Sequence, residues 1–300
     1  MNNLFKTINL VALMALLFFG TSCGEEKIAV RNKPAGEELN IKPDKGMNLV
    51  GRVTVDGQPR QGVVVSDGNT VVATDKDGVY QMKTAKAEYV FVSMPEDCQI
   101  DQTKSVPQFF KKIEFGKSEV IQRDFELKSK SVDDSFSLVA LADLQVGTHN
   151  DLTLCEPLMT KIADYTKTIK GTVLGISLGD LSWNNPSVYG DYKQIVSKLN
   201  MPVFSVIGNH DHNEKTNKFG AANDSLSAQE YRDAMGPTYY SANIGKWHLV
   251  VLDDVLYTGS SNYTAEITEA QMAWLEQDLK HVPKDKLIII GVHIATSRRN

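Results

Sequence analysis

The sequence predicts an α/β domain preceded by a small all-β sandwich, and three observations carry that expectation. Residues 48–128 are short β-branched runs broken by Asp-Gly turns. Residues 136–300 instead alternate continuous apolar runs of strand length with amphipathic helical stretches, the pattern of buried strands with helical crossovers. A chain of 300 residues, 42% hydrophobic and 23% charged, has the length and composition for two folded domains.

The first segment, residues 1–22, reads as an export signal. Lys6 precedes the apolar run Ile8 to Phe19, which is too short for a spanning helix, and Gly20-Thr21-Ser22 supply the small residues of a cleavage site. Cys23 directly after them resembles a bacterial lipoprotein site, so the expected location is the cell envelope, with the protein anchored to the bacterial membrane through lipidated Cys23. Cleavage without a lipid, giving a secreted or periplasmic protein, is the alternative. Residues 23–47, rich in Glu, Lys, Asn, Pro and Gly, read as a tether.

In the β module, Leu49 to Val55, Val63 to Val65 and Val71 to Ala73 read as antiparallel strands, with Asp56-Gly57 and Asp67-Gly68 supplying the positive φ of tight turns. Thr74-Asp75-x-Asp77-Gly78-x-Tyr80 reads as an Asx turn in preference to a calcium site. These residues resemble the carboxypeptidase-regulatory-like, transthyretin-like β-sandwich. Residues 129–135, polar and acidic, form a join.

The α/β domain, 136–300, offers strands at Phe136 to Ala142, Val173 to Leu178, Val203 to Ile207, Trp247 to Leu252 and Leu287 to Val292. Helices are expected at Leu154 to Ile169, Tyr189 to Leu199, Ser227 to Met235 and Thr268 to Val282, the last two opened by the capping boxes Ser227-x-x-Glu230 and Thr268-x-x-Gln271. Each strand is followed by a ligand-type residue: Asp143-Leu144-Gln145, Gly179-Asp180, Gly208-Asn209-His210-Asp211, Asp253-Asp254 and His293. In open α/β sheets the crevice lies beyond the carboxyl ends of the strands, so these residues converge. Oxygen donors mixed with imidazole suit Zn, Fe or Mn better than Ca.

A formal net charge of −5, from 32 Lys+Arg against 37 Asp+Glu, gives no polyanion-binding surface, so nucleic acid is not an expected partner. Three cysteines without Cys-x-x-Cys spacing exclude a disulfide scaffold or thiolate zinc site.

Asp-x-Gln, Gly-Asp, Gly-Asn-His-Asp and Gly-x-His, in this order, resemble the calcineurin-like metallophosphoesterases, with Gly-Asn-His-Asp starting about 28 residues beyond Asp180. That resemblance implies a four-layer α/β fold and two divalent or trivalent metal ions (Mn, Fe or Zn), with Asp143 and Gln145 on the first, Asp180 bridging, and Asn209 and His293 on the second. It further implies hydrolysis of a phosphate monoester or diester by metal-activated hydroxide. His210 would protonate the leaving group, and Asp211 would orient the imidazole. The sequence departs from the family in two places. Gln145 stands where His is usual, and the family's Gly-His-x-His is not reached before Asn300, so the domain is expected to be incomplete at its C-terminal end. A non-catalytic surface binding protein with a degenerate fold is the alternative. A serine hydrolase is another, because Gly175-Ile176-Ser177-Leu178-Gly179 fits the nucleophile elbow, although Ser177 sits inside an apolar run. His149 as a substitute ligand, His212 as a substrate contact, and Trp183, Asn184 and Asn185 as a pocket wall complete the expectations.

Overall fold

The computed structural model describes residues 40–295 apart from 86, 103–105, 116–118, 134, 220–223 and 260. The expected export signal, Cys23 and residues 23–39 of the expected tether lie outside the described residues, while residues 40–47 lie against the β module, with Ile41 buried and the Asn40 and Asp44 N–H groups bonded to Gln122 and Gln81. Among the described residues no helix is long and apolar enough to cross a membrane.

Among the described residues, nine strands make the N-terminal module. β1 (Leu49–Val55) is flanked by β2 (Gln58–Pro59) and β5 (Val79–Met82), and by β8 (Ile121–Gln122) and β9 (Phe125–Leu127). The second sheet runs β4 (Val71–Ala73), β3 (Val64–Ser66), β6 (Tyr89–Val92), β7 (Phe110–Lys112). The expected antiparallel order holds except that β8 and β9 run parallel to β1. The chain reaches β8 from β7, which belongs to the other sheet, so no hairpin turn ties the last strands to β1. The Asp75 carboxylate accepts from the N–H groups of Asp77 (2.9 Å) and Val79 (2.8 Å), closing the Asx turn.

The second half stacks two sheets. β10 (Phe136–Leu141), β11 (Thr172–Leu178) and β12 (Val203–Val206) are parallel, joined by crossovers that carry α1 (Asp151–Thr166) and α2 (Tyr189–Ser197). β13 (Tyr240–Ile244) pairs antiparallel with β14 (Trp247–Val251), which pairs parallel with β17 (Leu287–Gly291). A hairpin of β15 (Val255–Gly259) and β16 (Asn262–Ala265) and the helices α3 (Asp224–Ser227), α4 (Gln229–Met235) and α5 (Glu269–Leu279) complete the set.

Alternation along the central strands sorts the layers. Leu174, Ile176, Phe204 and Val206 join Tyr240, Ala242, Leu249 and Val251 in one core between the sheets. Leu141 and Val203 face the other way, onto Met159, Tyr192, Ile195 and Tyr231 of the helices. Trp274 and Leu275 of α5 extend the first core to Phe91 and Val65 of the module, so one apolar interior runs through both parts.

The two capping boxes fare differently. Thr268 caps α5 by accepting from the N–H of Gln271, but Gln271 turns its amide to Asp253 instead of closing the box. Ser227 caps nothing: α4 begins after Ala228, because the Ser227 hydroxyl is drawn to the Asp224 carbonyl (2.8 Å) and to His212 Nδ1 (2.7 Å).

Candidate metal centre

Register sets the site. Leu141 of β10, Ser177 of β11 and Ser205 of β12 lie on one row, so Asp143, Asp180 and Asn209 emerge together just past the same sheet edge. β17 ends beside Val251, and His293 follows it to the same place. One ligand atom from each of Asp143, Asp180 and His293 lies within 4.8 Å of the others. Asn209 Oδ1 is 3.0 Å from His293 Nε2, and the Gln145 amide donates to Asp180 Oδ2 at 3.1 Å.

The backbone is bent to achieve this. Asp143, Gln145 and Asp180 have φ of 51°, 47° and 51°, the left-handed region that costs a non-glycine residue about 1–2 kcal/mol. Such strain is characteristic of sites where geometry outranks comfort. Gly179 and Gly208 admit the close approach: a Cβ on the first would strike the His293 ring, and one on the second would strike Asp180.

His293 is oriented from behind. Its Nδ1 donates to the Leu178 carbonyl at 2.8 Å, which fixes the tautomer and leaves Nε2 facing Asn209 Oδ1 and, at 3.4 Å, Asp180 Oδ1. A neutral ring so held points its lone pair at oxygen atoms, an arrangement reconciled by a shared cation or by a second ring proton. With two carboxylates and two side-chain amides around it, the donor set fits a hard or borderline divalent ion. The loop carrying His293 is itself pinned, since Asp254 accepts from the N–H groups of His293 (3.0 Å) and Ile294 (2.9 Å).

His210 stands beside the cluster, with Nε2 4.0 Å from Asp180 Oδ2 and its own N–H donating to Asp180 Oδ1 at 2.9 Å. Asp211 does not orient this imidazole. Its carboxylate turns inward to the N–H groups of Leu181 (3.1 Å), Ser182 (2.9 Å) and Gly208 (2.9 Å), and burial pushes it up to about 6. The ring's partner is Asn184, whose Oδ1 lies 2.8 Å from Nδ1. Asn184 was expected only as part of a pocket wall beyond Gly-Asp; its hydrogen bond to the imidazole depends on a φ of 52° that no spacing reveals.

The remaining candidate positions, together with His248 and Cys98, lie elsewhere. Ser177 is fully buried inside β11, not on a turn, which removes the serine-hydrolase reading. His149 pairs with Asp191 on the surface at 2.8 Å. His248 is locked between Asn243 (3.0 Å) and Asp278 (2.8 Å) in the core. His212 is buried and stacked on Tyr257, its burial holding it down to about 4 and therefore neutral. Asn185 donates to the Gly147 carbonyl. Burial raises the Cys98 thiol to about 12, leaving it inert.

Residues 136–299 match the calcineurin-like phosphoesterase family, and residues 47–130 match the N-terminal domain found with it. A probable cyclic nucleotide phosphodiesterase of Rhodopseudomonas palustris is 27% identical over 119 residues, 39% of this chain and 40% of that protein. The chain thus matches well under half the length of that relative. The strand-end constellation and a family match over more than half its length agree: the chain belongs to the calcineurin-like phosphoesterases.

Proposed function

We propose that the protein is a metal-dependent hydrolase of phosphate esters in which water, not a side chain, attacks phosphorus. The convergence of Asp143, Asp180 and His293 within 4.8 Å carries this reading. Asp143, Asp180 and His293, with Asn209 and Gln145, are the residues that would hold two divalent ions. Bound ions would polarise the phosphoryl group and make the attacking water more acidic. Asp180 would be shared between the ions, since its two oxygens face different neighbours: Oδ1 lies near His293 and Oδ2 near Gln145. His210, through Nε2, would give a proton to the leaving oxygen. The relative's name makes phosphodiesters the first class to assay.

The test is hydrolysis of aryl phosphate monoesters and diesters by the full chain with Mn or Zn. Chelation and Asp180→Asn are each expected to lower turnover by at least about 100-fold; activity indifferent to both removes the proposal. As part of the same reading, the protein is exported and anchored through Cys23, which the apolar run 8–19 and the small residues before Cys23 support. Incorporation of labelled palmitate into the wild type and not into Cys23→Ser is the expected result.

A further inference from the structure

The loop after Asp180 grips His210 from two sides. The Trp183 ring lies against the imidazole, centroids 4.0 Å apart and planes 24° from parallel. Asn184 closes the ring's edge, with Oδ1 2.8 Å from Nδ1. The same loop also holds the His210 main chain, since the Asn184 N–H (3.0 Å) and the Ser182 hydroxyl (3.2 Å) both donate to its carbonyl. An amide oxygen only accepts, so Nδ1 carries the ring proton and Nε2 is left for the side facing Asp180 Oδ2, 4.0 Å away. Asn184 supplies this contact from a φ of 52°, a conformation that Asn tolerates better than most non-glycine residues.

We infer that Asn184, with Trp183 as a stacking wall, is the positioning residue for His210, holding Nδ1–H to its own amide oxygen so that Nε2, which carries the second ring proton in the form that acts as acid, meets the leaving oxygen. The inference rests on the phosphoesterase reading. A neutral amide orients the imidazole without adding a negative charge behind it. The contribution is therefore geometric, felt most where proton delivery matters most. That condition is a poor leaving group.

The exposed position and left-handed backbone of Asn184 supply a clean variant, because Asn184→Gly removes the side chain, keeps the N–H and suits the φ. The measurement compares 4-nitrophenyl and unsubstituted phenyl esters of the phosphate class that the wild type hydrolyses. Asn184→Gly is expected to lower kcat for the phenyl ester by about 10-fold or more, and several-fold less for the nitrophenyl ester, with KM nearly unchanged. Asn184→Asp restores the phenyl-ester rate. In a His210→Ala background Asn184→Gly adds nothing, as two residues acting through one group require. Equal losses on both esters, or full additivity with His210→Ala, would overturn the inference. A readout independent of turnover is the long-range proton–nitrogen spectrum of the full chain, with His210 assigned by His210→Ala. Nδ1 is expected to be protonated in the wild type, and Asn184→Gly to give mixed tautomers. A wild-type ring protonated on Nε2 and not on Nδ1, or an unchanged spectrum in the variant, refutes positioning by Asn184. Absence of turnover of either ester with Mn or Zn would refute the phosphoesterase reading instead.

Discussion

Gly208 shows how little room the centre has. Its φ of −117° suits any residue, so alanine there reports sterics alone, and its Cβ would collide with the backbone and carboxylate of Asp180. Gly208→Ala is expected to destabilise the fold by about 1–3 kcal/mol and to cut turnover more than that loss explains, because Asp180 is the residue displaced. Denaturant unfolding set beside the phosphoesterase assay checks it; a variant as active as the wild type contradicts the packing. A second residue-scale expectation concerns pH. Burial first, then the neighbouring Asp224 carboxylate, pushes Asp253 up from 3.8 to about 8, so the native protein keeps a proton that the unfolded chain has released. Stability then falls as pH rises between those values. His212, held neutral down to about 4 against an ordinary 6.5, acts in the opposite sense below pH 6.5, where the unfolded chain gains the proton first. From pH 6.5 to 8 the Asp253 contribution is therefore free of His212's. Tm is expected to fall across that interval, and Asp253→Asn to flatten the fall by an amount on the order of 1 kcal/mol. A wild-type Tm that does not decline there counts against a protonated Asp253.

At the scale of elements, α5 holds the site from behind. Gln271 is buried and clasps the Asp253 backbone with both ends of its amide, accepting at 2.9 Å and donating at 2.8 Å. The next residue, Asp254, holds the loop of His293. Gln271→Leu is expected to cost about 1–3 kcal/mol, since two backbone groups lose their partner, and to weaken metal binding as the loop loosens. Thr268→Ala at the N-cap should cost about 1 kcal/mol and leave metal affinity alone. Thermal melts and metal titrations of both variants separate the cases; equal metal affinity in all three proteins breaks the proposed chain of contacts. The five apolar strands, four of which lead to the candidate ligands, were legible within two residues, because parallel strands write continuous apolar runs, although Leu287, Ile288 and Ile290 of β17 are exposed and not buried as expected. β13 was not, since Tyr240-Ser241-Ala242-Asn243-Ile244 interleaves polar residues that bond across to Ser93 and His248. The parallel return of β8 and β9 was equally hidden, because strands of two and three residues carry no period. The convergence of Asp143, Asp180 and His293 was legible from their strand-end places, whereas the choice between Asp211 and Asn184 as imidazole partner depends on backbone angles and was not.

Across the whole molecule, the N-terminal module and the α/β half share an interior. Phe109 packs on Tyr240 with ring centroids 4.6 Å apart, and Phe91 and Tyr239 close on Trp274 at 6.2 and 5.2 Å. Polar contacts follow the same seam: Trp274 Nε1 donates to Ser66 Oγ at 3.1 Å, the Asn243 N–H to the Met94 carbonyl at 2.8 Å, and Tyr89 to the Arg232 carbonyl at 2.6 Å. At the centre, Ser241 links Ser93 (2.9 Å) to Asp278 (2.8 Å), which holds His248, and all four are buried. Opening this seam would bare aromatic faces and strip partners from the Trp274 indole, the Asn243 N–H, the Arg232 carbonyl and the Ser241 hydroxyl, each a penalty of about 1–3 kcal/mol where the group stays buried. Against a total stability on the order of 10 kcal/mol, the α/β half would not survive the loss. The full chain is therefore expected to unfold in one calorimetric transition, with Phe109→Ala lowering it by about 3–5 kcal/mol and leaving it single. Residues 131–300 expressed alone should be insoluble or expose a dye-binding apolar surface. Two separated transitions in the full chain, or a soluble and cooperatively folded 131–300 fragment, would show that the seam is an ordinary interface between independent domains and that the metal centre needs no support from the module.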